Sequence, residues 1–373
     1  MELYDISSPV EYKLAAICQM NKIPMGGTLE LLPLCNMHCS MCYIRQSPEE
    51  MAQKGRMLGL EEWLRIAQEA KEAGVVSIQL TGGEPLLYPW FRELYTALTD
   101  MGFVITINTN GTLINEELAA FMAERPCRRL NITLYGKDDE TYARLCGNPH
   151  GFSQVMQAVK LLRKYQIPFR FNFTVTPENL GQMEEIEAIA KAEGALLVMS
   201  SHIYPPIRCE NDSFHRISPA QSARAAIDHY IALNPQADIK KVARHTLKQL
   251  EHPNKSCISE GLGCRAGLCA FWMSWNGDLL PCGMFEEPKI SLLEHSFGEA
   301  WAYIVEETKK LRIYDGCFTC EKRNICNVCA AGCLTESGGD MTKKPEYICR
   351  RTEAYEQLLH QLGTGDGPLS RKS

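Results

Sequence analysis

Three cysteines, Cys35, Cys39 and Cys42, lie in the segment Cys35-Asn-Met-His-Cys39-Ser-Met-Cys42. Thiolates this close together in a leaderless chain point to metal. A cluster of four irons takes four thiolates. The segment offers three, so one iron is left open to an outside ligand, which is what separates a catalytic metal site from a structural one. A Zn knuckle borrowing a distant ligand is the competing reading, although Zn sites more often pair two CxxC units. His38, inside the segment, reads as solvent- or substrate-facing.

The chain has 17 cysteines in 373 residues, and ten of them fall between Cys257 and Cys349. Cys264 leads through Cys269 and Phe271-Trp272-Met-Ser-Trp275 to Asn276-Gly277 and Cys282. Cys317-x2-Cys320-x5-Cys326-x2-Cys329-x3-Cys333 follows, with Cys349 beyond. Spacings this close favour metal, and a structural Zn ribbon is one reading of them. Cys18, Cys127, Cys146 and Cys209 stand apart and read as packing residues, since free cysteine behaves as a small buried hydrophobe. The aromatic residues around Asn276-Gly277, a hairpin turn signal, read as core of the cysteine-rich region.

These residues need a frame. From about 28 to 200, strand-like runs (28–34, 75–81, 104–109, 130–134, 169–174, 195–199) alternate with amphipathic helical stretches (60–73, 90–101, 116–123, 152–165, 179–192). Strand, crossover helix, strand is the mark of parallel βα units. Six units make an incomplete barrel or a doubly wound sheet, and periodicity does not decide which. The three-cysteine segment then falls at the carboxyl end of strand one, where parallel sheets place their ligands. The division expected is an N-terminal extension (1–27), a barrel (28–235), a helical bridge (236–256), a cysteine-rich domain (257–350), and a terminal helix with a disordered tail (351–373).

A CxxxCxxC segment after the first strand resembles the signature of the radical S-adenosylmethionine (SAM) superfamily. Further matches support the resemblance. Thr81-Gly82-Gly83-Glu84-Pro85 resembles the family's GGEP motif, and Asn108-Thr109-Asn110-Gly111 its TNG segment. Thr133-Leu134-Tyr135-Gly136 stands where relatives read Ser-x-Asp-Gly, with Tyr135 in place of the acid. The resemblance implies a partial (β/α)6 TIM-like barrel and a [4Fe–4S] cluster on Cys35, Cys39 and Cys42. It also implies SAM cleavage to methionine and a 5′-deoxyadenosyl radical that abstracts a substrate hydrogen. By the same resemblance Met41, Gly82, Gly83, Glu84, Asn108, Thr109, Thr133 and Arg144 contact SAM. Glu84 would receive the methionyl ammonium, Arg144 the carboxylate, and Met41 would replace the usual aromatic against adenine.

The cysteine array resembles the SPASM extension of that superfamily. In its fully ligated form this implies two auxiliary [4Fe–4S] clusters, one on Cys264, Cys269, Cys282 and Cys333. The other would use Cys317, Cys320, Cys326 and Cys349, with Cys329 as the alternative to Cys326. Cys269 lies close to Cys264, so the first cluster could instead keep an open iron, and Cys257 could substitute or be free. SPASM relatives mostly modify ribosomally made peptides by thioether or carbon–carbon cross-linking or epimerisation, or oxidise Ser or Cys to formylglycine. Anaerobic sulfatase-maturing relatives carry an acidic base directly after the GX4C cysteine, whereas Gly283 follows Cys282 here. That argues against formylglycine formation. Radical dehydrogenation or epimerisation of a small molecule is the other alternative.

Only 27 residues precede the first strand run, too few for an independent leader-binding domain. Leader recognition, if needed, is therefore expected from a separate leader-binding protein or from a surface of the barrel itself, and a flavodoxin- or ferredoxin-type electron donor is a further expected partner. The formal charge of −6 leaves no basic footprint for nucleic acid. No apolar run reaches membrane-spanning length and the start is not a signal peptide, so a cytoplasmic location is expected. His202 and Tyr204, just past strand six, either face the SAM pocket or belong to a structural loop.

Overall fold

Strict alternation in Val104–Thr109 buries every second side chain, while five other runs bury neighbouring residues as well. In a computed structural model describing residues 9–206, 208–209, 211, 213–251 and 261–364, they form six parallel strands. These are β1 (Gly26–Glu30), β2 (Ser77–Thr81), β3 (Val104–Thr109), β4 (Arg129–Thr133), β5 (Phe169–Thr174) and β6 (Leu197–Ser200). Cys257 and the residues after Thr364 lie outside the described residues.

The strands stand in sequence order, β6-β5-β4-β3-β2-β1. That order decides between barrel and doubly wound sheet. Each crossover adds the next strand on the same side and crossovers are right-handed, so the connecting helices all collect on one face. Those helices are α3 (Leu60–Glu72), α4 (Phe91–Asp100), α5 (Glu116–Glu124), α7 (Gly151–Lys164) and α8 (Met183–Ala192). A sheet covered on one face curls around the other as a partial barrel.

Period-two geometry then sorts the side chains. Leu80, Ile107, Ile132 and Phe173 join the main apolar core under the helices. Their neighbours Thr81, Asn108, Thr133, Asn172 and Thr174 line a recess on the concave face. A short helix, α6 (Asp139–Cys146), which the sequence reading did not assign, packs before α7 and ends at Gly147 in the left-handed conformation. Helix α1 (Pro9–Asn21) precedes the sheet, and α2 (Pro48–Lys54), opened by a Ser47–Glu50 capping box, follows the three-cysteine loop.

The first strand is two residues displaced from its expected start and shorter at its end. Residues 31–34 continue as a ladder-like extension: Leu31 N donates to Thr81 O at 2.9 Å and Gly83 N to Leu32 O at 2.8 Å. The hairpin β7 (Ala270–Met273) and β8 (Asp278–Leu280), with β9 (Ile290–Ser291), joins this same sheet, because β7 runs parallel to β1 on its free edge. The sheet therefore has nine strands. Phe271 accordingly packs in the main core, while Trp272 belongs to the small apolar cluster of the cysteine-rich region.

Helix α11 (Phe297–Thr308) returns over the barrel, and Trp301 Nε1 donates to Lys22 O at 2.7 Å. Helices α9 (Pro219–Leu233), α10 (Ile239–Glu251) and α13 (Glu346–Thr364) bundle around Ile227, Ala243, Leu359 and Leu362. Helix α12 (Ala330–Glu336) is capped by Cys329 and contains Cys333, while Cys349 lies in the first turn of α13. Among the described residues no helix is long and apolar enough to cross a membrane.

Candidate functional site

The strand ends converge on a recess of about 500 Å³ lined by Cys35, Cys39 and Cys42, by residues of β2 to β5, and by Ser200, His202 and Tyr204 past β6. Met284 closes it from the cysteine-rich side. The loop holding the three thiols is pinned by backbone. His38 N donates to Cys146 O at 2.8 Å and Ser40 N to Leu145 O at 3.1 Å, so the end of α6 forms its seat. Met37 N donates to Cys35 Sγ at 3.4 Å and Arg45 N to Cys42 Sγ at 3.3 Å. Asn110 Nδ2 donates to Asn36 Oδ1 at 2.8 Å and reaches Cys35 Sγ at 3.8 Å.

Burial pushes the Cys35 thiol up to about 12 and raises Cys42 as well. Cys39 goes the other way, lowered by hydrogen bonds from Cys146 and, after the opposing effect of burial, from Tyr135. Sulfur-directed N–H groups and the nearby Arg45 charge suit a site in which all three thiolates give up their protons to iron. The donor set fits a [4Fe–4S] cluster with one iron not held by protein. Cys146 and Cys209, read from sequence as packing residues, both flank this loop; Cys209 Sγ lies 3.9 Å from Cys42 O.

The glycines after β2 are required by close approach. A Cβ on Gly83 would sit 2.2 Å from Leu34 O, so no side chain is tolerated under the cysteine loop. Glu84 is fully buried and lies behind the recess, not on its wall. It accepts hydrogen bonds from Thr109 Oγ1 at 2.7 Å, Asn110 N at 2.8 Å and Leu86 N at 3.1 Å. Desolvation lifts its carboxyl to about 7 against the pull of those donors. Glu84 thus ties the end of β2 to the end of β3, and Thr109 spends its hydroxyl on it.

Met41, Gly82, Gly83, Asn108, Thr109 and Thr133 are brought together on the recess wall. Arg144 is not. It sits on the outer face of α6, half exposed, paired with Glu140 at 2.5 Å. Helical periodicity explains this, since Thr141, Tyr142, Leu145 and Cys146 take the inward face. His38 is also outside the recess and exposed.

The cysteine-rich region sorts its thiols differently from the expected ligand sets. Cys264, Cys282 and Cys329 pack around one apolar cluster and feel one another electrostatically. Cys333 instead hydrogen-bonds Cys317, and Cys326, Cys349 and Cys320 are neighbours of that pair. Cys269 is buried against α1, its Sγ 3.9 Å from Ala15 O; it lies close to Cys18 and also feels Cys264. Among the described residues no three His, Cys, Asp or Glu side chains converge tightly enough to hold a single metal ion. Gly283 has a steric reason: a Cβ there would lie 2.7 Å from the Trp272 indole.

The two regions are bolted together by groups that no sequence motif marks. Glu30 of β1, fully buried, accepts from Arg208 at 2.9 Å and from Trp272 Nε1 at 2.8 Å, while Arg208 also donates to Gly283 O at 3.2 Å. Tyr43 stands between Cys42 and Cys282, its hydroxyl deprotonation suppressed by burial and by Glu30.

Residues 29–190 match the family model described as the Radical SAM superfamily. An AdoMet-dependent heme synthase of Methanosarcina barkeri is 26% identical over 349 residues, covering 89% of this chain and 98% of the relative. A PqqA peptide cyclase of Granulibacter bethesdensis is 28% identical over 172 residues, 46% of this chain and 45% of the relative. Among solved structures, Streptococcus suis SuiB bound to precursor peptide SuiA has a TM-score of 0.64 at 20% identity, covering 92% of this chain and 82% of SuiB.

Proposed function

This chain belongs to the radical SAM superfamily, and from that premise we propose that it modifies a residue within a ribosomally made peptide by hydrogen abstraction. Cross-linking through sulfur or carbon, or epimerisation, is the reaction class. The observation that carries the reading is the recess of about 500 Å³ with the three thiols on one wall and the cysteine-rich region on another. That volume suits one drug-sized ligand. With SAM inside, a substrate reaches the thiol wall by inserting a small group from the open side, as a single side chain of a peptide does. A fold shared with SuiB, whose structure holds a precursor peptide, supports the same substrate class.

Cys35, Cys39 and Cys42 hold the cluster, which when bound supplies the electron that cleaves SAM. The chain's own part is placement. Asn36, Asn110 and the end of α6 fix the thiol loop, and Gly82 and Gly83 let the β2 turn run beneath it. Asn108, held by Asn131 at 2.6 Å, and Thr133 offer polar contacts for the sugar and amino-acid parts of SAM. Met41 supplies an apolar surface for the adenine.

Two auxiliary clusters are part of the reading. One rests on Cys264, Cys282 and Cys329, the other on Cys317, Cys320, Cys326 and Cys349, with Cys333 at hand. Electrons arrive from a flavodoxin- or ferredoxin-type donor.

The near full-length match to a heme synthase favours a second reading, in which a tetrapyrrole presents a side chain to the recess. Anaerobic reconstitution, SAM, reductant and the precursor peptide encoded beside the gene separate the two. Loss of two hydrogens from the peptide by mass spectrometry supports cross-linking, and deuterium uptake without other mass change supports epimerisation. An unchanged peptide, together with an iron porphyrin that is consumed as SAM is cleaved, overturns the peptide reading.

A further inference from the structure

We propose that His202 accepts a proton from the substrate in the recess and that Glu336, on the cysteine-rich side, is the residue that positions it. The inference rests on the radical SAM reading of that recess.

His202 stands two residues beyond β6, at the end of the sheet where the thiol loop lies, and its side chain lines the recess. Catalytic groups on such sheets come from strand ends. Its imidazole is held on several sides. Tyr204 packs against it with ring centroids 4.3 Å apart, and Tyr347 stacks on it at 5.2 Å. Nε2 lies 3.1 Å from Glu336 Oε1, and Ser200 Oγ donates to the His202 carbonyl at 3.0 Å.

Glu336 is itself almost fully buried and fixed. Arg216 meets it with both guanidinium nitrogens, at 2.6 and 2.7 Å, and also donates to Ile203 O at 2.7 Å. The same guanidinium lies 3.6 Å above the Tyr347 ring. A carboxylate already matched by arginine has little charge left to keep an imidazole protonated. It still accepts Nε2–H, which assigns the neutral tautomer with Nδ1 as the basic nitrogen. Nδ1 is then the nitrogen left to take a proton.

The charged and titratable groups around the ring are Glu336, Arg216, Arg351, Tyr204 and Tyr347. Burial holds the imidazole below its ordinary value; Glu336 opposes this and the two arginines reinforce it. The ring is neutral near pH 7, the state a proton acceptor requires.

The step is proton transfer alone. A substrate N–H, O–H or S–H next to the carbon that loses its hydrogen atom breaks, its bonding pair stays on the heteroatom, and Nδ1–H forms. The imidazolium so produced is held by Glu336. A purely structural histidine would use the same Glu336 contact but would not need to face the recess. Helix α12 explains the coupling between regions: Cys329 caps its start, Gly332 leaves room for Tyr204, and Glu336 ends it.

The test uses the reconstituted full-length enzyme. Exchange of the histidine C2 hydrogen, followed by mass spectrometry, reads each imidazole without any substrate. His202 is expected to titrate below about 6.5, to shift further down in E336Q, and to exchange at least about fivefold more slowly once SAM fills the recess. Exchange indifferent to both E336Q and SAM overturns the proposal. With the precursor peptide, H202Q and H202A are expected to lower the yield of product per 5′-deoxyadenosine formed about 100-fold or more. Added imidazole restores product to H202A, and the acidic limb of the pH profile disappears in both variants. Product formation by H202Q within about threefold of wild type overturns the role of His202. Wild-type enzyme that fails to cleave SAM overturns the radical reading instead.

Discussion

Arg208 and Glu30 form an ion pair at 2.9 Å in which both side chains are nearly withdrawn from solvent, 9% and 1% exposed. The pair joins the first strand of the barrel to the loop beside the three thiols, and through Trp272 and Gly283 it reaches the cysteine-rich region. Removing one partner strands a buried charge, at about 3–5 kcal/mol. E30Q and R208M are each expected to expose the junction to limited proteolysis and to lower SAM cleavage. The E30Q/R208M double variant is expected to be less damaged than the sum of the singles. Additive damage in proteolysis half-lives would show that the pair carries no coupling.

Cys35, Cys39 and Cys42 have no substitute within the loop. Ala at any one of them is expected to abolish 5′-deoxyadenosine formation while the fold persists, since β1 to β6 are held by ladder and core rather than by metal. Anaerobic SAM cleavage measured by chromatography, with circular dichroism as the fold control, checks this.

The thiol grouping predicts which cysteines in the carboxy-terminal half bind iron. C329S is expected to lower iron in reconstituted protein by about four atoms per chain from about twelve, and C282S equally. C269S is expected to leave iron unchanged, because its sulfur faces α1. Iron and sulfide analysis of the three variants decides it, and iron lost in C269S but kept in C329S would restore the ligand set expected from sequence.

Glu84 makes the fold sensitive to pH in a defined direction. Its carboxyl titrates at about 7 in the folded chain against 4.5 ordinarily. Below pH 4.5 it is protonated in both states and costs nothing. Between the two values the unfolded chain releases a proton that the fold retains, so stability is lost as pH rises and levels off above about 7. The full difference is about 3 kcal/mol. In the metal-free protein, E84Q is expected to gain on the wild type in urea midpoint between pH 5 and pH 8. A constant difference between them across that range would mean the carboxylate is not desolvated as described.

The sequence exposed the strands wherever alternation was strong. The runs at 104–109 and 169–174 coincide with β3 and β5 to the residue. It exposed the thiol loop through its spacing alone. Three things needed the folded chain. Strand order, which makes the sheet a barrel, is not written in periodicity. Arg144 follows Tyr135 in the order the motif expects, but the eight residues of α6 put position 144 opposite the buried stripe. In the array, CxxC spacing says that thiols are near one another but not which converge. Cys329 caps the start of α12 and Cys333 lies four residues on, about 6 Å along the axis, and the two fall in different apolar clusters.

The pairing of β7 with β1 has a consequence for how the chain is made. Gly26 waits for Ala270, so during synthesis the first strand emerges long before its outer neighbour exists. Until then it presents an open row of amide and carbonyl groups beside an apolar core, the kind of surface that recruits other chains. Contacts so distant in sequence also form slowly. The nascent barrel is therefore most vulnerable to aggregation before the hairpin arrives, and a chain stopped short of residue 270 is expected to be captured by chaperones or lost, whatever iron it has already bound.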